Sequence, residues 1–334
     1  MVEKTQLAKD LEVCRIINGM WQVAGGHGQI NPDTAITEMF QYHDSGLTTW
    51  DMADIYGPAE AYLGHFRKKL AEQRGKDETS RVQALTKFVP SPSPMSRSIV
   101  EHHIDNSRRR MGVESIDLLQ FHWWDYNDVR YIDAMHQLTK LRDEGKIRHI
   151  GLTNFDTERM ETMTQQGFEI VSNQVQYSIL DQRPSSKMEV FCKKHGISIL
   201  AYGTILGGFF SKRYLGKKEP TRQDLHTLSL QKYKHMIDVW GGWDLFQDLL
   251  KALDGISEKH KSSIANVAAR FVLDRPQVAS VIIGARLGIS NNIADNLQVF
   301  SLKLDSDDLD AISSVTSRSN DLFDVIGDCG DEYR

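Results

Sequence analysis

The chain has 334 residues, 40% of them hydrophobic and 25% charged, with a formal charge of −5 at neutral pH. Such a length gives a prior of about two domains, yet single α/β barrels reach it too, and it suffices to bury a large core without staples. The mild acidity argues against a nucleic-acid surface, which needs clustered Lys and Arg, and no run of eighteen apolar residues suggests a membrane span.

Taken in chain order, the opening MVEKTQLAKDLEV lacks the apolar core of a signal peptide, so the expectation is a soluble, cytoplasmic protein. Cys14, Cys192 and Cys329 are odd in number and far apart, which fits neither a disulfide framework nor a zinc ribbon. Short β-rich runs lie at 14–21, 47–53, 82–88, 116–122, 147–153, 169–177, 197–203 and 278–285. Between them, segments show helical spacing. SIVEHHIDNSRRRMG (98–112) ends in Arg108, Arg109 and Arg110, a solvated helix end favoured by the helix dipole. In 129–145, Ile132, Met135, Leu138 and Leu141, joined by Val129, mark an apolar stripe, and Gly112 and Gly145 stand where helices stop.

Eight strands alternating with helices predict parallel βαβ units, and closing them gives a single-domain α/β protein, a (β/α)8 TIM barrel. A doubly wound sheet would want G-x-G-x-x-G after its first strand, and MWQVAGGHGQI lacks that spacing. Two stretches break the rhythm. One is a long loop or helical insertion at about 204–261, opening with the Gly-rich ILGGFFSKRYLG. The other is the acidic tail at about 319–334, which either closes over the barrel or is loose.

Barrel active sites occupy the carboxyl ends of the strands. Here those ends carry Asp51, with Tyr56 in the following turn, then Lys87 and His122. Alternation puts Thr49 and Asp51 on one face and Trp50 and Met52 on the other; Lys87 shares a face with Leu85, and His122 with Gln120. Three ionisable side chains therefore converge at one mouth, where each needs a partner. Asp54 reads as a loop or capping residue. His102 and His103 lie mid-helix, so three or four ligands do not converge and no metal site is expected.

WDMADIYG, TKF and LLQFHWW, followed in order by GLTNF, NQVQY, LAYG and IIGAR…IADNL, resemble the signature segments of the aldo-keto reductases over most of the chain. The resemblance implies a (β/α)8 enzyme that reduces aldehydes or ketones with NADPH, NADH being the less expected cofactor, and a small-molecule carbonyl as its partner. It puts the family's tetrad on Asp51, Tyr56, Lys87 and His122. Tyr56 would protonate the carbonyl oxygen as hydride arrives, Lys87 and Asp51 would support it, and His122 would donate to the carbonyl oxygen. Tyrosine titrates near 10, so a useful acid at neutral pH needs about three units of lowering, or ~4 kcal/mol. The Lys87 ammonium is expected to supply much of that, with Asp51 keeping it charged and fixed.

The same resemblance implies cofactor contacts from Gly19, Met20 and Trp21, from Asp51, and from Thr153, Asn154 and Gln174 as carboxamide ligands. Tyr202 would stack on the nicotinamide ring, with Gly203, Leu206 and Gly207 near the pyrophosphate. Gly284 would let backbone approach phosphate, and Arg286 would pair with a 2′-phosphate. A helix from about Ser290 would offer free amides, and Asn292 and Asn296 would reach the adenine end. Trp21, Tyr56, Phe88, His122, Trp123 and Trp124 are the expected pocket walls, although the paired tryptophans also read as loop anchors. The chain departs from the family pattern at Ile283, where proline is frequent, in a longer 287–292, and in GTILGGFF where SPLG is common. An NADPH-binding regulatory or redox-sensing barrel with little turnover stays open as an alternative, as do a monomer and a small homo-oligomer.

Overall fold

Runs rich in Val, Ile, Leu and aromatics suit strands covered on both faces, and they form them here. The structure, a computed structural model, describes residues 2–28 and 30–333. Its strands are β1 (Lys4–Ala8), β2 (Leu11–Cys14), β3 (Ile16–Gly19), β4 (Thr49–Asp51) and β5 (Gln83–Phe88). They continue as β6 (Ile116–Phe121), β7 (Ile147–Thr153), β8 (Ser172–Gln176), β9 (Ser198–Tyr202) and β10 (Val278–Gly284). Strands β3 to β10 pair in parallel with their neighbours in sequence, and β10 closes onto β3. The molecule is a (β/α)8 barrel, and each of the eight runs read from the sequence contains one of its strands.

The sequence reading missed β1 and β2, an antiparallel hairpin whose strands are short and carry mixed polar residues. Leu7, Leu11 and Val13 of that hairpin join Ile17, Leu85, Leu118, Leu200 and Ala279 in one interior cluster. Those five lie within the first three residues of their strands, so the hairpin seals the amino end of the barrel. The carboxyl end is left for a site. Register places Asp51 beside Gly19, Lys87 beside Gln120, and Thr153 beside Gln174.

Between strands and helices lies a second apolar layer that includes Trp50, Met52, Phe66, Phe88 and Phe121. Trp50 and Met52 fall there as alternation requires, which turns Asp51 inward. Helices Arg97–Met111 and Tyr131–Asp143 occupy the expected segments, and Gly112 ends the first with φ 63°. Val129 is a correction: it precedes its helix and is 66% exposed, outside the buried stripe of Met135, Leu138 and Leu141.

The 204–261 stretch contains the helices Leu228–Trp240 and Gly242–Lys259. The tail folds into the helix Leu322–Ile326 and a last turn, Asp331–Tyr333. Buried Arg183 ties that turn down, pairing with Asp181 at 2.8 Å and with Glu332 at 3.0 Å. The tail therefore lies over the carboxyl end of the barrel. Among the described residues, no helix is long and apolar enough to cross a membrane.

Candidate active site

Four buried polar side chains meet at the strand ends. Lys87 Nζ donates to Asp51 Oδ2 at 2.5 Å and to Met52 O at 3.0 Å. Asp51 Oδ1 accepts from Gln120 Nε2 and from Gln174 Nε2, each at 2.8 Å. Gln174 Nε2 also donates to Gln120 Oε1 at 2.6 Å. Removing an ion pair from water is tolerable only when the remaining lone pairs and protons are satisfied, and this network satisfies them. Gln120 was not singled out as a site residue. Its signal was alternation, two positions before His122.

Tyr56 rides on the turn after β4. Asp54 N–H donates to Lys87 O at 3.0 Å, and the Asp54 carboxylate accepts from Val89 N–H at 3.2 Å, so the turn is laced to the end of β5. Lys87 Nζ lies 5.1 Å from the centroid of the Tyr56 ring. The expected lowering of the phenol's pKa is corrected by the structure: burial, then Asp51 and Asp54, push that pKa up. The reason is local. The Lys87 ammonium is already neutralised by Asp51, and it donates hydrogen bonds to Asp51 and Met52 O. Burial pushes the Asp54 carboxyl up to about 6, against the hydrogen bond from Val89.

His122 is buried, with Nδ1 3.1 Å from Thr153 O. A carbonyl oxygen only accepts, so Nδ1 carries the proton, and Nε2 can donate only when the ring is an imidazolium. A proton that His122 donated to a carbonyl oxygen would therefore come from the imidazolium form. The expected carboxamide ligands are also engaged with one another. Thr153 Oγ1 donates to Gln174 O at 3.0 Å, and both contacts of Gln174 Nε2 are taken, which leaves Oε1 to accept. Asn154, at φ 57°, accepts on Oδ1 from Tyr202 Oη at 2.9 Å.

From this network a cavity of about 600 Å³ runs outward. Gly19, Trp21, Asp51, Tyr56, Lys87, His122 and Trp124 line it, as do Thr153, Asn154, Gln174, Tyr202, Gly203 and Gly207. Gly284, Arg286, Ser290, Asn292 and Asn296 line its far part. Four expected residues do not line it, and all four are buried in the apolar layer behind the barrel. Met20 and Phe88 stand on the outward phase of their strands, Phe88 packing on Phe121 and His103. Trp123 is a loop anchor, its Nε1–H donating to Asp125 O and Asp128 O at 2.9 and 2.8 Å. Leu206 turns inward at φ 48°. The helix expected from about Ser290 begins only at Ile293 and is six residues long.

Several lining residues were not anticipated: His27, Ser229, Lys232, Tyr233 and Tyr333. They come from loops, the insertion and the tail, where no period predicts direction. Tyr333 Oη lies 2.9 Å from Tyr202 Oη and bonds Lys232 Nζ, whose charge sits 4.8 Å from the Tyr202 ring centroid. Gly203, at φ 75°, leaves room for Tyr233; a Cβ there would fall 2.7 Å from the Tyr233 Oη.

Three comparisons bear on this arrangement. A family model described as the Aldo/keto reductase family matches residues 15–317. The chain is 28% identical over 260 residues to flagellar radial spoke protein 5 of Chlamydomonas reinhardtii, covering 66% of this chain and 49% of that protein. It thus spans about half the length of that relative. It is 23% identical over 315 residues to the NADH-specific methylglyoxal reductase of Escherichia coli (strain K12), covering 90% of this chain and 93% of that one. Among solved structures, a glycerol dehydrogenase from Gluconobacter oxydans superposes with a TM-score of 0.75 at 21% identity, covering 96% of each chain.

Proposed function

Because the chain belongs to the aldo/keto reductase family, we propose that it reduces aldehydes or ketones to alcohols with NADPH, Tyr56 delivering the proton. The observation that carries this reading is the side-by-side placement of the Tyr56 phenol and the Asp51-held Lys87 ammonium at the inner end of the cavity.

The cavity fits a nicotinamide dinucleotide. Its volume is about 600 Å³, within the range of cofactor sites. Two polar atoms near its wall, Gln22 Oε1 and His27 Nδ1, are buried without hydrogen-bond partners among the described residues. When bound, the nicotinamide supplies the hydride. The chain's own groups supply the rest. Tyr56 stays protonated in its buried setting, so its proton is present across the neutral range. A developing alkoxide is basic enough to take that proton from a phenol, and Lys87 then faces the phenolate that remains. Asp51 and Met52 O keep Lys87 in place, so no reorganisation is needed at that moment. Trp21, Trp124 and Ile55 give one side of the cavity an apolar face against which a substrate body can pack.

Arg286 supports NADPH over NADH. It lines the far part of the cavity and has no carboxylate within ion-pairing distance among the described residues, so its charge is available to a 2′-phosphate. A cytoplasmic setting and a small-molecule carbonyl substrate complete the proposal. A second reading, a dinucleotide-binding barrel with little turnover, is favoured by the tail: Tyr333 sits at the mouth, bonded to Tyr202 and Lys232.

The test is NADPH oxidation by the full chain with a reactive aromatic aldehyde, scored together with the alcohol formed. Equal molar loss of NADPH and gain of alcohol supports the reductase. Tight NADPH binding with no consumption across a panel of aldehydes and ketones supports the second reading.

A further inference from the structure

Resting on the reading of the cavity as a dinucleotide site, we propose that His27 is a cofactor ligand, its Nδ1–H meeting an oxygen of the dinucleotide's diphosphate. His27 is 6% exposed and lines the cavity. Its Nε2 lies 2.7 Å from Ser229 Oγ, whereas Nδ1 is buried with no hydrogen-bond partner among the described residues. Buried polar groups without partners are rare in folded proteins, and each one calls for a cause. Burial, and then the Arg286 charge, disfavour protonation of this ring, so near neutral pH it carries a single proton. Where the Ser229 hydroxyl donates to Nε2, that proton sits on Nδ1 and needs an acceptor.

The position of the ring selects the diphosphate among the ligand's anionic groups. On one side His27 packs against Trp21, ring centroids 5.0 Å apart, and Trp21 follows the strand whose Gly19 pairs with Asp51. It also feels the charge of Arg286, the cation of the far part. His27 is therefore near groups from both parts of the cavity, where the diphosphate joining the two halves of the ligand would run. A second orphan, Gln22 Oε1, lies at the end of β10: a Cβ added at Gly284 would fall 2.2 Å from Gln22 Nε2. The lack of a side chain at Gly284 leaves the room at the end of β10 that the Gln22 amide occupies.

Three segments distant in sequence are joined at this point. Leu228 N–H reaches Gly26 O at 3.5 Å, and a Cβ on Gly28 would lie 3.5 Å from Ile289 Cδ1. Residues 21–28 thus bridge the insertion and the loop after β10. A phosphate on Nδ1 would fasten this bridge over the cofactor.

The experiment is calorimetric titration of the full chain with NADPH and with NADH, for wild type, His27→Ala, His27→Asn and Ser229→Ala, with thermal melts as the folding control. Loss of a hydrogen bond to a charged group weakens binding by about tenfold or more. His27→Ala is expected to weaken both nucleotides by that factor, equally. His27→Asn keeps a donor near the place of Nδ1 and is expected to recover most of the affinity; Ser229→Ala is expected to lose less than His27→Ala. The proposal is overturned if His27→Ala binds both nucleotides like wild type, or if only NADPH weakens, which would put the ring at the 2′-phosphate. It is also overturned if His27→Asn is as weak as His27→Ala, since the ring would then act as a latch on Ser229. Wild type that binds neither nucleotide would remove the dinucleotide reading itself.

Discussion

At the inner end of the cavity, Asp51, Lys87, Gln120 and Gln174 engage one another, and Thr153 and Asn154 are tied to Gln174 and Tyr202. At the outer end, among the described residues, Gln22 Oε1 and His27 Nδ1 have no hydrogen-bond partner and Arg286 has no carboxylate within ion-pairing distance. The first region rests on strand ends, whose positions are fixed by ladder register. The second rests on loops and on a six-residue helix. The difference teaches where each kind of work belongs. Proton delivery gains from groups that need no reorganisation, so it sits on the rigid frame. Cofactor capture needs groups that acquire partners on binding, and loops can carry them.

The comparison breaks if the inner network proves dispensable. Lys87→Met leaves the Asp51 carboxylate buried and uncompensated, and is expected to destabilise the fold by about 3–5 kcal/mol in urea unfolding. Adding Asp51→Asn should recover most of that loss. If the double variant is as unstable as the single, the ion pair is not the source.

A smaller effect sharpens the electrostatics behind Tyr56. Burial raises the Asp54 carboxyl from its ordinary value of 3.8 to about 6, so the fold favours its protonated form. The folded value exceeds the unfolded one, so this group's contribution to stability is fully present below about pH 4 and is lost as pH rises through about 6. Asp54→Asn is neutral at every pH. Its stability relative to wild type should therefore grow between pH 4 and pH 6.5, by up to about 3 kcal/mol. A flat difference across that window would mean that the carboxylate is already satisfied, by Val89 N–H and by His103, whose Nδ1 is 3.8 Å away.

The smallest effect belongs to the outer end. Arg286→Ala should weaken NADPH by about tenfold and leave NADH unchanged, in keeping with loss of one charge-assisted contact. Equal weakening of both would move Arg286 off the 2′-phosphate. No change in either would make it a rim cation.

What was legible in the sequence follows the same division. Period-two alternation turned Asp51, Lys87 and His122 inward and put Gln120 on the same face as His122, although it did not mark Gln120 as a site residue. The same rule, applied strictly, would have sent Phe88 and Trp123 outward, to the apolar layer where they lie. His27 and Ser229 meet across 202 residues of sequence, and Tyr202 and Tyr333 across 131. Loops and tails have no period, so nothing local told where those side chains point. The β1–β2 hairpin escaped for a related reason, its strands being too short to show a pattern. The rise in the Tyr56 phenol was hidden too, because it depends first on burial and then on the nearby Asp51 and Asp54 carboxylates, which only the fold brings together.

The most direct test of the account is the aldehyde reduction rate of Tyr56→Phe against wild type at saturating NADPH, with NADPH affinity measured on both. The account predicts a loss of about 10²- to 10⁴-fold in turnover, the usual worth of a positioned acid, with NADPH affinity unchanged. Equal turnover in the two proteins would contradict it, and would place the proton donor elsewhere in the cavity.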